Sequence, residues 1–248
     1  MRASMTALTA LAALGAAVLG AAAPAAAQGL TYTRDTYTTV KSAYVFRGLQ
    51  RAEEIVQLGG EVRLNGVHLG GAWLQPFDGA EAPSEARLYG GWSPHIEDHG
   101  SPIDVELGFT WYATPDSAPG FAEDSRFEPY AKLYLDTPLA PSLAGFYDTE
   151  LETYTVEGRL THYVPFGLNG IQFGFDGGLV SPENGQEHTY AQGSIDYVRN
   201  FLSGLEGFVG VRTAVSSEDR YFDTVTPAGP IYDQDNKTWI AFGLAATF

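Results

Sequence analysis

The sequence predicts an all-β fold: a transmembrane antiparallel up-and-down β-barrel of twelve strands. Three observations carry this reading. Segment after segment alternates apolar and polar residues, the period of a strand with two unlike faces. No run of 18 or more apolar residues follows residue 27, so no transmembrane helix is expected beyond that point. Inside hydrocarbon every backbone N–H and C=O must find a partner within the protein, which leaves helices or closed barrels as spanning structures.

At the N-terminus, residues 2–27 have the form of a secretory signal. Arg2 is the only positive charge, Leu8 to Gly20 is rich in Ala and Leu, and Ala25-Ala26-Ala27 offers a small-residue cleavage site. The expected organisation is a cleaved signal peptide over 1–27 and a single β-barrel over 28–248, exported to the cell outer membrane of a Gram-negative bacterium. The 248 residues include no cysteine, which removes a disulfide scaffold from consideration. Twenty-nine glycines, 14 tyrosines and 14 phenylalanines suit crowded strands with aromatic girdles. The net charge of −16 argues against nucleic acid as a partner, because phosphates need cationic neutralisation.

The strands follow in order. A first strand ends near Arg47, and an outward loop spans Gly48–Glu54. Ile55–Asn65 places Val56, Leu58, Val62 and Leu64 opposite Gln57, Glu61 and Arg63, and Asn65-Gly66 is a two-residue hairpin turn that demands positive φ. Val67–Phe77 sets Leu69 and Trp73 against His68 and Ala72. Ser84–Trp92 sets Leu88 and Trp92 against Glu85, Arg87 and Tyr89. Ile103–Ala113 has the cleanest alternation: Ile103, Val105, Leu107, Phe109 and Trp111 oppose Asp104, Glu106, Thr110 and Tyr112. In Phe127–Leu135, Ala131 and Leu133 oppose Tyr130, Lys132 and Tyr134.

A short seventh strand lies around Leu143–Asp148. Thr153–Val164 opposes Tyr154, Val156 and Leu160 to Glu157 and Arg159. The next three strands set Phe173 and Phe175 against Asp176, Ile195 and Tyr197 against Asp196, and Val209 and Val211 against Glu206 and Arg212. Ile240, Phe242, Leu244, Ala246 and Phe248 form the apolar row of the last strand. A final strand ending in Phe248 resembles the assembly signal read by the barrel-assembly machinery.

A soluble sandwich also alternates, with its apolar face buried on a second sheet. The barrel is favoured because acid and base recur together on the polar face (Glu61/Arg63, Glu85/Arg87, Glu157/Arg159). Aromatics near strand ends (Trp73, Trp92, Trp111, Tyr154, Tyr197, Trp239) are also expected on the lipid face at headgroup depth. The longest connections, Thr114–Ser125 and Ser217–Asp235, fall on one end and the tightest turn, Asn65-Gly66, on the other.

The segment Ser42-Ala43-Tyr44-Val45-Phe46-Arg47-Gly48, with Gly70-Gly71-Ala72-Trp73, Asp104–Phe109, Trp111-Tyr112 and Glu128-Pro129-Tyr130, resembles the TorF-type family of porins. That resemblance implies an outer-membrane location and porin-like transport, and it carries over no catalytic residue and no substrate.

The chemistry expected is accordingly passage rather than catalysis. No Gly-x-Ser-x-Gly motif accompanies His162 or His188, so no catalytic residue, cofactor or metal is assigned. His95 and His99 stand four residues apart in a loop with no helix to hold that spacing, and Asp219, Asp223, Asp233 and Asp235 lack calcium-loop spacing. Lumen-facing candidates are Arg47, Glu61, Arg63, Glu85, Arg87, Asp104, Glu106, Lys132, Glu157, Arg159, Asp176, Asp196 and Arg212. Arg47 is expected to fork onto a lumen carboxylate and pin strand and loop. On the polar faces of the strands, with Glu206 included, eight acids stand against five bases, which predicts a modest cation preference. The expected partners are outer-membrane lipids and lipopolysaccharide, the assembly machinery, and small polar solutes or ions. The competing expectation is a non-conducting structural or surface-interaction barrel whose lumen is filled by side chains.

Overall fold

Twelve strands close into a ring. A computed structural model describes residues 32–77, 84–93, 103–114, 125–202, 204–223, 225–226 and 229–248. The strands are β1 (Tyr32–Lys41), β4 (Ile55–Leu64), β5 (Val67–Pro76), β6 (Glu85–Trp92), β7 (Ile103–Ala113), β8 (Ser125–Leu135), β9 (Ser142–Asp148), β10 (Thr153–Phe166), β11 (Asn169–Pro182), β12 (His188–Leu202), β13 (Leu205–Ser216) and β16 (Asn236–Thr247). Two small hairpins stand apart from the ring: β2 (Tyr44–Phe46) with β3 (Leu49–Ala52), and β14 (Val225–Thr226) with β15 (Gly229–Pro230). Each barrel strand pairs antiparallel with its chain neighbours, and β1 pairs with both β4 and β16 to close the ring. Two backbone bonds extend that seam, Arg34 N to Phe248 O at 3.1 Å and Phe248 N to Arg34 O at 2.9 Å. The Arg34 guanidinium also lies over the Phe248 ring, 4.9 Å from its centre.

The two faces are inverted relative to a water-soluble protein. Val62, Leu64, Leu69, Leu88, Trp92, Leu107, Val156, Phe175, Ile195, Val209, Ile240 and Phe242 are exposed. The residues alternating with them, among them His68, Glu106, Tyr112, Glu128, Tyr130, Thr155 and Asp196, are buried. Apolar surface costs about 25 cal/mol per Å² in water, so a continuous apolar exterior is stable only against lipid. The buried polar row can then only be the interior of the ring.

At one end of the barrel lie Asn65-Gly66, residues 136–141 and 167–168, and the two ends of the described chain. Asn65 (φ 48°) and Gly66 (φ 79°) adopt the expected turn. The opposite end carries the connections 42–54, 149–152, 183–187 and 217–235. We call these the turn end and the loop end. The expected signal peptide, residues 115–124 of the expected Thr114–Ser125 connection, His95 and His99 lie outside the described residues.

Two expectations are corrected. The first barrel strand stops at Lys41 rather than near Arg47. Arg47 (φ 51°) and Gly48 (φ 71°) instead form a second two-residue turn, and the Tyr44–Ala52 segment doubles back as a hairpin. Trp239 does not face lipid: it shares parity with Ala241, opposite to Ile240, and packs inside with Ala43, Ala214 and Tyr221.

Candidate functional site

The hairpin β2–β3 enters the lumen at the loop end and crosses it. Its root packs with the β4 and β5 wall through Tyr44, Ala52, Ile55, Ala72 and Leu74. Its tip residue, Arg47, reaches β8, where Nη2 donates to Glu128 Oε1 at 2.9 Å and Nη1 bonds to Oε2. In the ring order β1-β16-β13-β12-β11-β10-β9-β8, β8 and β9 stand on the far side from β1. Tyr112 of β7 donates to the same Glu128 Oε1 at 3.1 Å. The Arg47 guanidinium is held between the rings of Phe146 (4.1 Å) and Phe46 (4.8 Å). On a third wall, His188 Nε2 donates to the Arg47 carbonyl at 3.2 Å. A Cβ at position 48 would collide with the Tyr190 ring, so Gly48 serves both the positive φ and the close approach to β12.

The loop spanning 217–235 covers the hairpin from the loop end. Gln50 is fully buried. Its N–H donates to Arg220 O (3.0 Å), its Oε1 accepts from Phe222 N (3.1 Å), and its carbonyl accepts from Tyr232 Oη (3.2 Å). Lys237 tethers the loop through Phe222 O at 2.7 Å and an ion pair with Asp223. Lys237 and Gln234 hold the Asp223 carboxyl below its usual range, while burial pushes the Tyr221 phenol up to about 12.

Around the hairpin the charges are paired closely. Arg87 Nε donates to Glu85 Oε1 at 2.6 Å, and its guanidinium also bonds the Tyr44 hydroxyl. Arg126 pairs with Asp148 at 3.1 Å and with Glu85 at 3.5 Å, and lies 4.3 Å from the Tyr112 ring centre. Toward the turn end the interior changes character. Arg63–Glu61 (2.5 Å), Lys132–Glu106 (3.4 Å) and Arg159–Glu157 (3.3 Å) pair there, among the tyrosines Tyr89, Tyr130 and Tyr134. Tyr130 and His68 bond across the interior at 3.3 Å. On β12 and β13, Arg212 meets Asp196 at 2.9 Å, and Tyr190 donates to Glu157 at 2.5 Å. Asp176 sits in register opposite Arg159, and Asp104 opposite Tyr134.

The thirteen expected lumen residues therefore lie on the inner rows or, for Arg47, on the inserted hairpin. Sequence reasoning missed the carboxylates that hold the tip and its neighbours, Glu128 and Asp148, and their companion Arg126. The parity of Tyr130 and Lys132 includes Arg126 and Glu128, so the alternation held that signal. The inward path of Tyr44–Ala52 had a weaker one: a second pair of residues suited to a tight turn, Arg47-Gly48, inside what reads as strand and loop.

Three solved structures share the architecture. A KdgM porin aligns over 87% of this chain and 99% of its own, at 11% identity and TM-score 0.56. A NanC porin aligns over 86% and 98%, at 12% identity and TM-score 0.54. A KdgM porin in complex with disordered oligogalacturonate aligns over 87% and 99%, at 11% identity and TM-score 0.55. At such identities the likeness is one of fold: this chain closes a barrel similar to the barrels of those porins. No curated protein matches the sequence. The profile of the family described as "Bacterial protein of unknown function (Gcw_chp)" matches residues 23–234, and the chain belongs to that family.

Proposed function

We propose that the chain is an outer-membrane pore for passive passage of small polar solutes or ions, narrowed at the loop end by the Tyr44–Ala52 hairpin. One observation carries it: a closed ring with an apolar exterior and an interior of charges and tyrosines, in which the Arg63 and Arg159 guanidiniums are solvent-accessible toward the turn end. The TorF-type resemblance around Tyr44–Gly48 belongs to the same reading. So do export through a signal at 1–27, residence among phospholipid and lipopolysaccharide, and an outward-facing loop end. Delivery by the assembly machinery would read Phe248, and deleting it is expected to lower the yield of heat-modifiable barrel in the outer membrane. The acidic residues of the turn half (Glu61, Asp104, Glu106, Asp176) support a modest cation preference for inorganic ions.

The second reading, a non-conducting barrel, is favoured by the hairpin crossing the lumen. Planar-bilayer recording of the refolded protein decides between them. Discrete conductance steps in KCl are expected, and silence across many insertions would favour the filled barrel.

A further inference from the structure

A groove of about 370 Å³ crosses the outer wall of the barrel over β1, β16, β13 and β12. Nine of the eleven residues that line it belong to the outer rows, so it opens toward lipid rather than into the lumen. Two ladder rows build it. Val40, Phe242, Val209 and Tyr197 stand in register across the four strands, and Thr38, Leu244, Gly207 and Arg199 form the next row toward the turn end. Residues directly opposite one another on paired strands share a face. In the second row Gly207 contributes no side chain, which leaves a depression between Leu244 and Arg199. Phe201 leans in beside that glycine and walls the groove on the turn side: a Cβ at position 207 would come within 2.7 Å of its ring.

Arg199 is the one charge among the lining residues. It is exposed near the turn end of β12, and its guanidinium lies 5.7 Å from the Phe201 ring centre. Among the described residues, the outer rows of β1, β16, β13 and β12 carry no acidic side chain to pair with it. Beside it, the Tyr197 hydroxyl donates to Asn169 Oδ1 at 2.7 Å, and the Tyr197 ring meets that of Phe166 at 6.3 Å. Amphipathic aromatics of this kind mark headgroup depth. A guanidinium on a lipid-facing row is costly unless its head reaches a polar partner. Its planar fork matches a phosphate through two parallel bonds.

We propose that this groove holds one phospholipid of the leaflet at the turn end, with an acyl chain along Phe242 and Val209 and the phosphate on Arg199. Its volume falls in the range of about 300–1,000 Å³ usual for small-molecule sites. An apolar trough with a single cation at its rim complements one apolar chain with an anionic head. The inference rests on the outer-membrane reading, with the turn end toward the periplasm, and is independent of conduction.

The test uses native mass spectrometry of the refolded full barrel in detergent micelles. Palmitoyl-oleoyl phosphatidylglycerol is titrated in, with the diacylglycerol of the same two chains as the control that lacks a phosphate. The phospholipid is expected to form a one-to-one complex at concentrations about tenfold below those the diacylglycerol needs, the scale of one charge-assisted bond. Arg199→Gln should erase that advantage and leave diacylglycerol binding unchanged, and Arg199→Lys should keep part of it. Val209→Trp, which fills the groove from an exposed position, should weaken both lipids together in a barrel that stays heat-modifiable. Equal binding of the two lipids by the wild type, or binding unmoved by Arg199→Gln and Val209→Trp alike, would overturn the site. Displacement of phosphatidylglycerol by an equal concentration of lipid A would overturn the choice of a phospholipid. Cell fractionation separates this failure from that of the reading beneath it. A barrel recovered outside the outer-membrane fraction sinks the outer-membrane reading, whereas an outer-membrane barrel with no phospholipid preference sinks the site alone.

Discussion

Within the loop half of the lumen, Glu128 keeps 1% of its side-chain surface exposed and its partner Arg47 13%. Within the turn half, Arg63 and Arg159 are 52% and 56% exposed beside Glu61 and Glu157. Both halves pair acid with base, yet the physics differs. A dry pair has surrendered its hydration and depends on its partner, so removing one member costs about 3–5 kcal/mol. A wet pair is screened and contributes about 0–1 kcal/mol. The loop-half ion pairs are thus chiefly architecture, holding a hairpin across the ring. In the turn half, the Arg63 and Arg159 guanidiniums are available to solutes, while Lys132–Glu106 stays largely enclosed.

The largest effect expected from this contrast is on conductance. Replacing Tyr44–Ala52 by a short Gly/Ser linker removes the only described segment that crosses the lumen, and the single-channel step should grow severalfold while the barrel stays heat-modifiable. An unchanged step would place the limiting constriction elsewhere. Steps seen only after excision would make the hairpin a plug.

Next comes stability. Glu128→Ala leaves the Arg47 guanidinium without its carboxylate among Phe46, Phe146 and Tyr112, and is expected to cost about 3–5 kcal/mol by urea titration of the folded barrel in lipid. Arg47→Ala/Glu128→Ala should cost less than the sum of the single changes, since neither charge is then left alone. Strict additivity would mean that the clasp does not couple the two residues.

The same contrast accounts for what the sequence reveals about itself. Pairs two residues apart on one strand are legible because they follow directly from alternation: Glu61/Arg63 and Glu157/Arg159 in the turn half, and Glu85/Arg87 beside the hairpin. Ring closure and strand number follow from the same pattern. The clasp and cover of the hairpin are built from partners far apart in the chain, Arg47 with Glu128 and Gln50 with Phe222, and no local period encodes which distant carboxylate a fork will meet. Trp239 was misassigned because its ring suits the lipid interface, but parity with Ala241 sends it inward. Parity outranks residue preference in a strand, because one register serves every side chain on it.

A smaller effect is expected from charge in the turn half. Asp104→Asn with Glu106→Gln removes two negative charges from the inner row of β7, and the reversal potential in a KCl gradient should move toward neutrality. Salt at 0.1 M screens beyond about 10 Å, so the shift should be greater in dilute than in concentrated KCl. An anion-preferring wild type would instead mean that the inner-row carboxylates do not control the passage of inorganic ions.

The smallest effect should come from Arg63→Ala. Its 2.5 Å pair with Glu61 is among the shorter ones in the barrel, and distance alone would rank it with Arg47–Glu128. Exposure reverses that ranking: a guanidinium that keeps half its surface in contact with water has paid little desolvation and holds its partner against solvent screening. The cost of Arg63→Ala should therefore stay below about 1 kcal/mol in the same urea titration. Freed Glu61 should make the reversal potential slightly more cation-preferring. A loss of stability as large as that of Glu128→Ala would mean that the turn half is as dry as the loop half, and the division of the lumen into an architectural half and a solute-accessible half would fail.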